Sequence, residues 1–363
     1  MLTAIVFLLI LTTAVVVHEL AHYWNAKSVG LPVRSFSVGM GPVLFRRMWR
    51  GTEWRISLLP IGGYVDIPGM APKQDEMGNY QHPDEGFATK NVWEKIWVLI
   101  GGVIANFILA VVLLAAVITA DPSFRTLTAG IQSDFGAKIA SVEPGMTAED
   151  LGIQAEDVIL KVNSVEDPRA SQVTAEIRST TGTLTLLLER SGEEVTVSTP
   201  WPPENIGTEV PRLGIQIAPL TIETPPSINF FQAMGEAVTF YVSVVPESLR
   251  GFVAGIGEAA RGQQSENVAG IVGIVGAVNQ ARQVGIIPVI ALAAFINFSL
   301  ALFNLLPIPG LDGGRILLSA IVALRGKPFK PGQEEFIHFL GFMSVLAIML
   351  LITFNEVTGL FRN

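Results

Sequence analysis

The stretch Leu2-Thr3-Ala4-Ile5-Val6-Phe7-Leu8-Leu9-Ile10-Leu11-Thr12-Thr13-Ala14-Val15-Val16-Val17-His18-Glu19-Leu20-Ala21-His22 decides how this chain is read. Its first part, Leu2–Val17, carries no charge and leads without a break into the pentapeptide His18–His22. Histidines at i and i+4 share one helical face, where both can ligate a single Zn²⁺, and the glutamate beside them is placed to act on water. In a bilayer an ionisable glutamate costs about 2.5 kcal/mol or more at mid-helix and is retained mainly where it faces a functional cavity. A chance pentapeptide on a soluble helix carries no such cost. The placement of the motif, more than the motif itself, therefore points to a metal site inside a membrane helix.

The rest of the composition agrees with a membrane protein. Of 363 residues, 50% are hydrophobic and only 15% charged, too apolar for an ordinary soluble domain. The uncharged runs Leu2–Val17, Ile96–Ala120, Gln283–Leu311 and Phe336–Asn355 each supply most or all of the roughly 20 residues that a span needs. We expect four transmembrane helices, the first extended by the histidine motif. That first run has no basic region before it and no small-residue cleavage site, so it reads as a retained span rather than a leader.

Charge sets the expected orientation. Residues 23–95 hold 9 Lys/Arg against 7 Asp/Glu, and Arg315, Arg325, Lys327 and Lys330 cluster after the third run, whereas residues 121–287 hold 10 basic against 20 acidic side chains. Under the positive-inside rule the amino terminus lies outside, and the zinc motif sits toward the cytoplasmic side of a multi-pass protein. The net charge of −8, carried mostly by the outer region, argues against nucleic-acid binding. With no cysteine, the chain has neither disulfides nor thiolate metal ligands.

Between the runs, Phe36–Val65 alternates apolar and polar residues with glycine punctuation and predicts short strands or a hairpin on the cytoplasmic side. Met70–Asn91 reads as a polar loop, with His82 a solvated loop histidine. Residues 128–220 have the composition of a folded extramembrane α+β module. Within it, Pro144–Asn163 resembles the core of a PDZ domain, although Ala155-Glu156 stands where a Gly usually precedes the Asp and Ser164 where a Gly often follows the Asn. PDZ domains bind extended peptides by strand addition, so the module is expected to contact a substrate ectodomain or peptide. A proline-rich connector follows, then an apolar stretch at 230–256, interrupted by Glu236, Pro246, Glu247 and Arg250, that predicts interfacial amphipathic helices. The expected domains are 1–127 and 283–363 for the membrane core, 128–220 for the module and 221–282 for the connector.

A second chemical segment closes the third run: Asn304-Leu305-Leu306-Pro307-Ile308-Pro309-Gly310-Leu311-Asp312-Gly313-Gly314-Arg315. Two prolines break the helix, which at membrane depth is tolerated only where the freed backbone is packed in protein or lines a wet cavity. Catalytic zinc usually has three protein ligands, and the histidine motif supplies two. Asp312 is the best third candidate, being the acidic residue in a broken membrane segment. His338 competes with it, and an ordinary Asx-turn is the plainer reading of Asp312.

These segments, with Gly102-x-x-x-Asn106 on the second run, together resemble the site-2 protease family of intramembrane zinc metalloproteases. Phe87–Trp93 leading into Gly101-Gly102, and the single PDZ-like insert between the second and third runs, place the chain near the bacterial regulator-of-sigma-E branch. The resemblance implies that His18, His22 and Asp312 hold Zn²⁺ and that Glu19 is the general base. It further implies that Asn304 hydrogen-bonds substrate backbone and that single-span membrane proteins are cut at the bacterial inner membrane. A silent membrane adaptor and a transporter are the competing classes.

Overall fold

Helix α1 runs unbroken from Leu2 to Ser28, so the apolar stretch and the histidine motif share one axis. The computed structural model describes residues 2–70, 73–74, 80–81, 85–130, 134–202, 212–263, 265, 268–330 and 332–360; His82 lies outside them. The chain forms two compact units, one of residues 1–121 and 228–363 and the other of residues 122–227.

In the first unit, four helices among the described residues are long and apolar enough to cross a membrane: Leu2–Ser28, Val92–Ala120, Ile286–Leu305 and Gln333–Gly359. Helix α2 (Val92–Ala120) starts where Asn91 and Glu94 close a reciprocal capping box, satisfying two otherwise orphaned amides. Its small and branched residues, including Val98, Gly101, Gly102, Ala110 and Leu114, are buried. The third apolar run is shorter as a helix than as a sequence. Gly285, at φ +154, separates it from the preceding Ile271–Val284 helix, and Pro307 and Pro309 follow its end. The stretch read as interfacial forms one 31-residue helix, Phe230–Ala260, with Pro246 inside it. It buries Tyr241, which stacks on Phe298 at 4.5 Å and packs edge-on against Phe107.

Strands β1 (Ser35–Trp49) and β2 (Thr52–Asp66) make the expected hairpin, but each is used twice. Ser35–Val38 pair both with Glu53–Ile56 and with Gly63–Asp66, while Val43–Trp49 pair antiparallel with Ser57–Thr52. The sheet curls onto α1 through Tyr23, Phe36 and Trp54, whose rings lie 4.8–6.1 Å apart. Its last part lies along α1: Thr12 Oγ1 donates to the Pro60 carbonyl at 2.6 Å, and the Val65 amide donates to Glu19 Oε2 at 3.1 Å. Leu44, Phe45, Met48, Trp49, Leu58 and Leu59 of this hairpin are exposed.

The second unit holds a six-stranded sheet in the order 193–201, 182–190, 158–162, 138–142 and 215–218, with 165–166 paired to 158–162. A ten-residue helix, Ala170–Ser179, closes its core through Val173 and Ile177 against Ile159, Leu184, Leu186 and Leu188. The 182–201 hairpin turns on Ser191-Gly192, both at positive φ, the two-residue geometry that matches strand twist. Glu156, which stands where the resemblance expects glycine, takes φ +70.

Beside it, buried Asp157 accepts from Arg190 at 2.6 and 2.7 Å and from the Gln154 amide at 2.9 Å. Burial alone would raise this carboxyl, but these donors hold it below its ordinary value. The sign follows: the pair stabilises the unit above pH of about 4 and loses its effect as pH falls through the depressed folded value. We expect Asp157→Asn to lower the stability of this unit by about 1.5–3 kcal/mol at neutral pH. Hydrogen exchange of residues 138–201 in the full chain should rise accordingly, and the gap from wild type should close in acid.

Candidate metal centre

The register between α1 and α2 places the histidines. His22 Nδ1 lies 2.8 Å from the Val98 carbonyl, and Asn25 donates to the Trp97 carbonyl at 2.7 Å. One turn further along α2, Gly102 faces His18, and a Cβ built there would fall 2.5–2.7 Å from three atoms of that imidazole. The helices therefore run antiparallel with 22 opposite 98 and 18 opposite 102. The glycine lets the His18 ring lie against bare backbone.

The helix break places the aspartate. Pro307 and Pro309 prevent the Ile286–Leu305 helix from continuing, and Gly310 turns the chain at φ +95. The next helix, Asp312–Arg325, can then pack over the carbonyls of Leu305, Leu306 and Ile308 because Gly313 and Gly314 carry no side chain to collide with them. His338 Nδ1 accepts from the Gly310 amide at 3.0 Å and so anchors the turn. Asp312 stands at the first position of the new helix, facing α1.

Three ligand atoms meet as a result. His18 Nε2 lies 3.0 Å and His22 Nε2 3.3 Å from Asp312 Oδ2, and the two nitrogens are 3.1 Å apart. Four-coordinate zinc with bonds of about 2.0–2.1 Å has ligand-to-ligand edges of about 3.3 Å, so the triangle has the right size for one ion. Its chemistry fits too. With the Val98 carbonyl accepting from Nδ1, His22 is the Nδ1–H tautomer and directs its Nε2 lone pair into the cluster. Asp312 Oδ2 is buried near both rings yet forms a well-aligned hydrogen bond with neither. The His22 lone pair and the Asp312 carboxylate thus converge with the His18 ring on one buried point, a donor set that could hold a cation.

The structure thus brings together His18, His22 and Asp312, and among the described residues these three are the His, Cys, Asp and Glu group spaced to hold a metal. His338, the competing histidine, is instead engaged with the turn. Glu19 is fixed by the Val65 amide, a long-range contact that no local pattern signals. Asn304 is partly buried at the end of its helix, and its side chain has no hydrogen-bond partner among the described residues. The roles of Gly102 and His338 also escape a reading by motif, although Gly102 was legible as part of Gly-x-x-x-Asn.

Because that glycine adjoins the ring so closely, Gly102→Ala should push His18 out of the triangle. We expect zinc affinity, measured by competition with a chromophoric chelator, to fall about 10- to 100-fold, the range seen when groups supporting a ligand are altered. Unchanged affinity would show that the ring tolerates displacement.

Comparison with known proteins covers the part of the chain that holds these residues. The model of peptidase family M50 matches residues 6–348. A protein of Agrobacterium fabrum assigned as a zinc metalloprotease, Atu1380, is 31% identical over 98% of this chain and 95% of its own length. Zinc metalloprotease RasP of Bacillus licheniformis is 28% identical over 99% of both chains. Metalloprotease MmpA of Caulobacter vibrioides is 27% identical over 98% of this chain and 95% of its own length. A family model spanning nearly the whole length, together with a relative above 30% identity, puts the chain in peptidase family M50, the site-2 protease family, as a zinc metalloprotease.

Proposed function

We propose that this metalloprotease cleaves peptide bonds within or near the transmembrane segments of single-span membrane proteins, with His18, His22 and Asp312 as zinc ligands and Glu19 as general base. The carrying observation is that the ligand triangle forms between two apolar, membrane-length helices and the broken end of a third. Zinc held there supplies Lewis acidity toward a water and a peptide carbonyl. The chain's own groups do the rest. Glu19, aimed by the Val65 amide, takes the proton of the attacking water and returns it to the leaving amine. The amide of Asn304, without a partner among the described residues, is available to substrate backbone. A transmembrane helix must unwind before its backbone is cut, and the edge near Ile56–Tyr64 offers strand pairing to the opened segment.

The module at 128–220 is read as a PDZ-like, extracytoplasmic domain that contacts a substrate's ectodomain or peptide. The amino terminus lies outside and the zinc site toward the cytoplasm of a bacterial inner membrane, as the basic clusters favour. Relatives named zinc metalloprotease RasP and metalloprotease MmpA support the peptidase chemistry; the place we propose for it is regulated intramembrane proteolysis, for example of an anti-sigma factor or a signal-peptide remnant.

The motif follows roughly 16 uncharged residues, about 24 Å of helix, so cleavage is expected near the cytoplasmic end of substrate spans. Fragment mass spectrometry of a single-span substrate co-reconstituted with the chain tests this. Single cysteines at exposed Ser28 and Ser171 fix the orientation in the naturally cysteine-free protein. Ser28→Cys should label from the cytoplasm and Ser171→Cys from outside; the reverse pattern inverts the topology. Cuts confined to the outer half of spans overturn the depth.

A further inference from the structure

Once Nε2 of His18 is given to a metal, the ring's remaining proton must sit on Nδ1, and that atom is buried without a hydrogen-bond partner. Metal-bound histidines almost always donate this second N–H, and His22 does so to the Val98 carbonyl. One turn beyond Gly102 on the same face of α2 stands Asn106, 1% exposed, whose Oδ1 is likewise buried without a donor. The antiparallel register that sets 22 against 98 and 18 against 102 sets Ala14 against 106, and Ala14 is fully buried with only a methyl to fill that level. Helical side chains lean toward the amino terminus of their own helix. In antiparallel helices, His18 therefore leans toward the level of Asn106, and Asn106 toward the level of His18.

We propose that Asn106 is a positioning residue of the metal centre: its amide oxygen accepts the His18 Nδ1–H when zinc is held, directly or through one water. The carbonyl of Val98 and the side chain of Asn106, two turns apart on α2, thereby set the tautomer and ring orientation of both histidines. This inference rests on the reading of His18 as a zinc ligand.

The test uses the full chain in lipid nanodiscs, with Asn106→Leu, which keeps size and removes the acceptor, and Asn106→Asp, which keeps an oxygen acceptor. Zinc affinity by chelator competition should fall about 10- to 100-fold in Asn106→Leu and stay near wild type in Asn106→Asp. The chain has only four histidines, so ¹⁵N-histidine spectra resolve the His18 Nδ1 proton. We expect it to shift downfield in Asn106→Asp and to lose its hydrogen-bonded position in Asn106→Leu, a signature that a merely packing role would not produce. Wild-type affinity together with an unmoved Nδ1 signal in Asn106→Leu overturns the proposal. Should Asn106→Leu fail to fold, an unmoved signal in Asn106→Asp overturns it equally. Absence of zinc from the unaltered chain would instead overturn the ligand reading, and this inference with it.

Discussion

Glu19→Gln should lower peptide cleavage by about 10²- to 10⁴-fold while zinc stays bound at wild-type stoichiometry. The substitution is close to isosteric and removes the group that carries the proton, not a ligand. It also spares the scaffold, because the Val65 amide, 3.1 Å from Glu19 Oε2, finds an equivalent acceptor in the glutamine carbonyl. The sheet that curls onto α1 is therefore expected to hold its place, and any loss of rate reports chemistry alone. Single-turnover cleavage of a reconstituted single-span substrate, with zinc counted in the same sample, decides the matter. Full activity with stoichiometric zinc would remove Glu19 from the proton path and leave the metal centre intact.

How far the sequence alone reached is clearest at particular residues. The i, i+4 spacing of His18 and His22 on an apolar helix is local information, and the structure keeps it on one unbroken helix. The helix break before Asp312 is also local, since two prolines and a run of glycines can be read directly. What the sequence could not show is which face of one helix meets which face of another. Gly102 against His18, the Val98 carbonyl against His22 and Val65 against Glu19 join residues 46 to 84 positions apart, and no periodicity encodes them. The doubled use of β1 and β2 escaped for a similar reason. Alternation and glycines reveal strands, but the pairing of Ser35–Val38 with two separate segments depends on how the sheet curls onto Tyr23. His338 stayed a minor competitor to Asp312 in the sequence because its chemistry suits a metal; the position of the Gly310 amide shows that the ring serves the turn.

That distinction gives the sharpest contrast between two substitutions. Asp312→Ala should weaken zinc binding by about 3–4 kcal/mol, roughly 10²- to 10³-fold, if zinc's binding energy is spread over a few ligands of comparable worth. It should also abolish cleavage, because two neutral imidazoles 3.1 Å apart then face each other without the anion that helps draw a cation between them. His338→Ala should retain zinc at near wild-type affinity. It leaves the Gly310 amide without its acceptor in a turn whose next residues place Asp312, so its expected defect is a looser Pro307–Asp312 segment, seen as faster amide exchange. Both variants can be measured in the same nanodisc preparation, with chelator competition for the metal and hydrogen exchange for the turn. Retained zinc in Asp312→Ala combined with lost zinc in His338→Ala would exchange the roles of the two residues. Loss in Asp312→Ala alone ties the helix break to the metal: the prolines and glycines that interrupt the third apolar run do so in order to deliver one carboxylate to the face of α1 that carries His18 and His22.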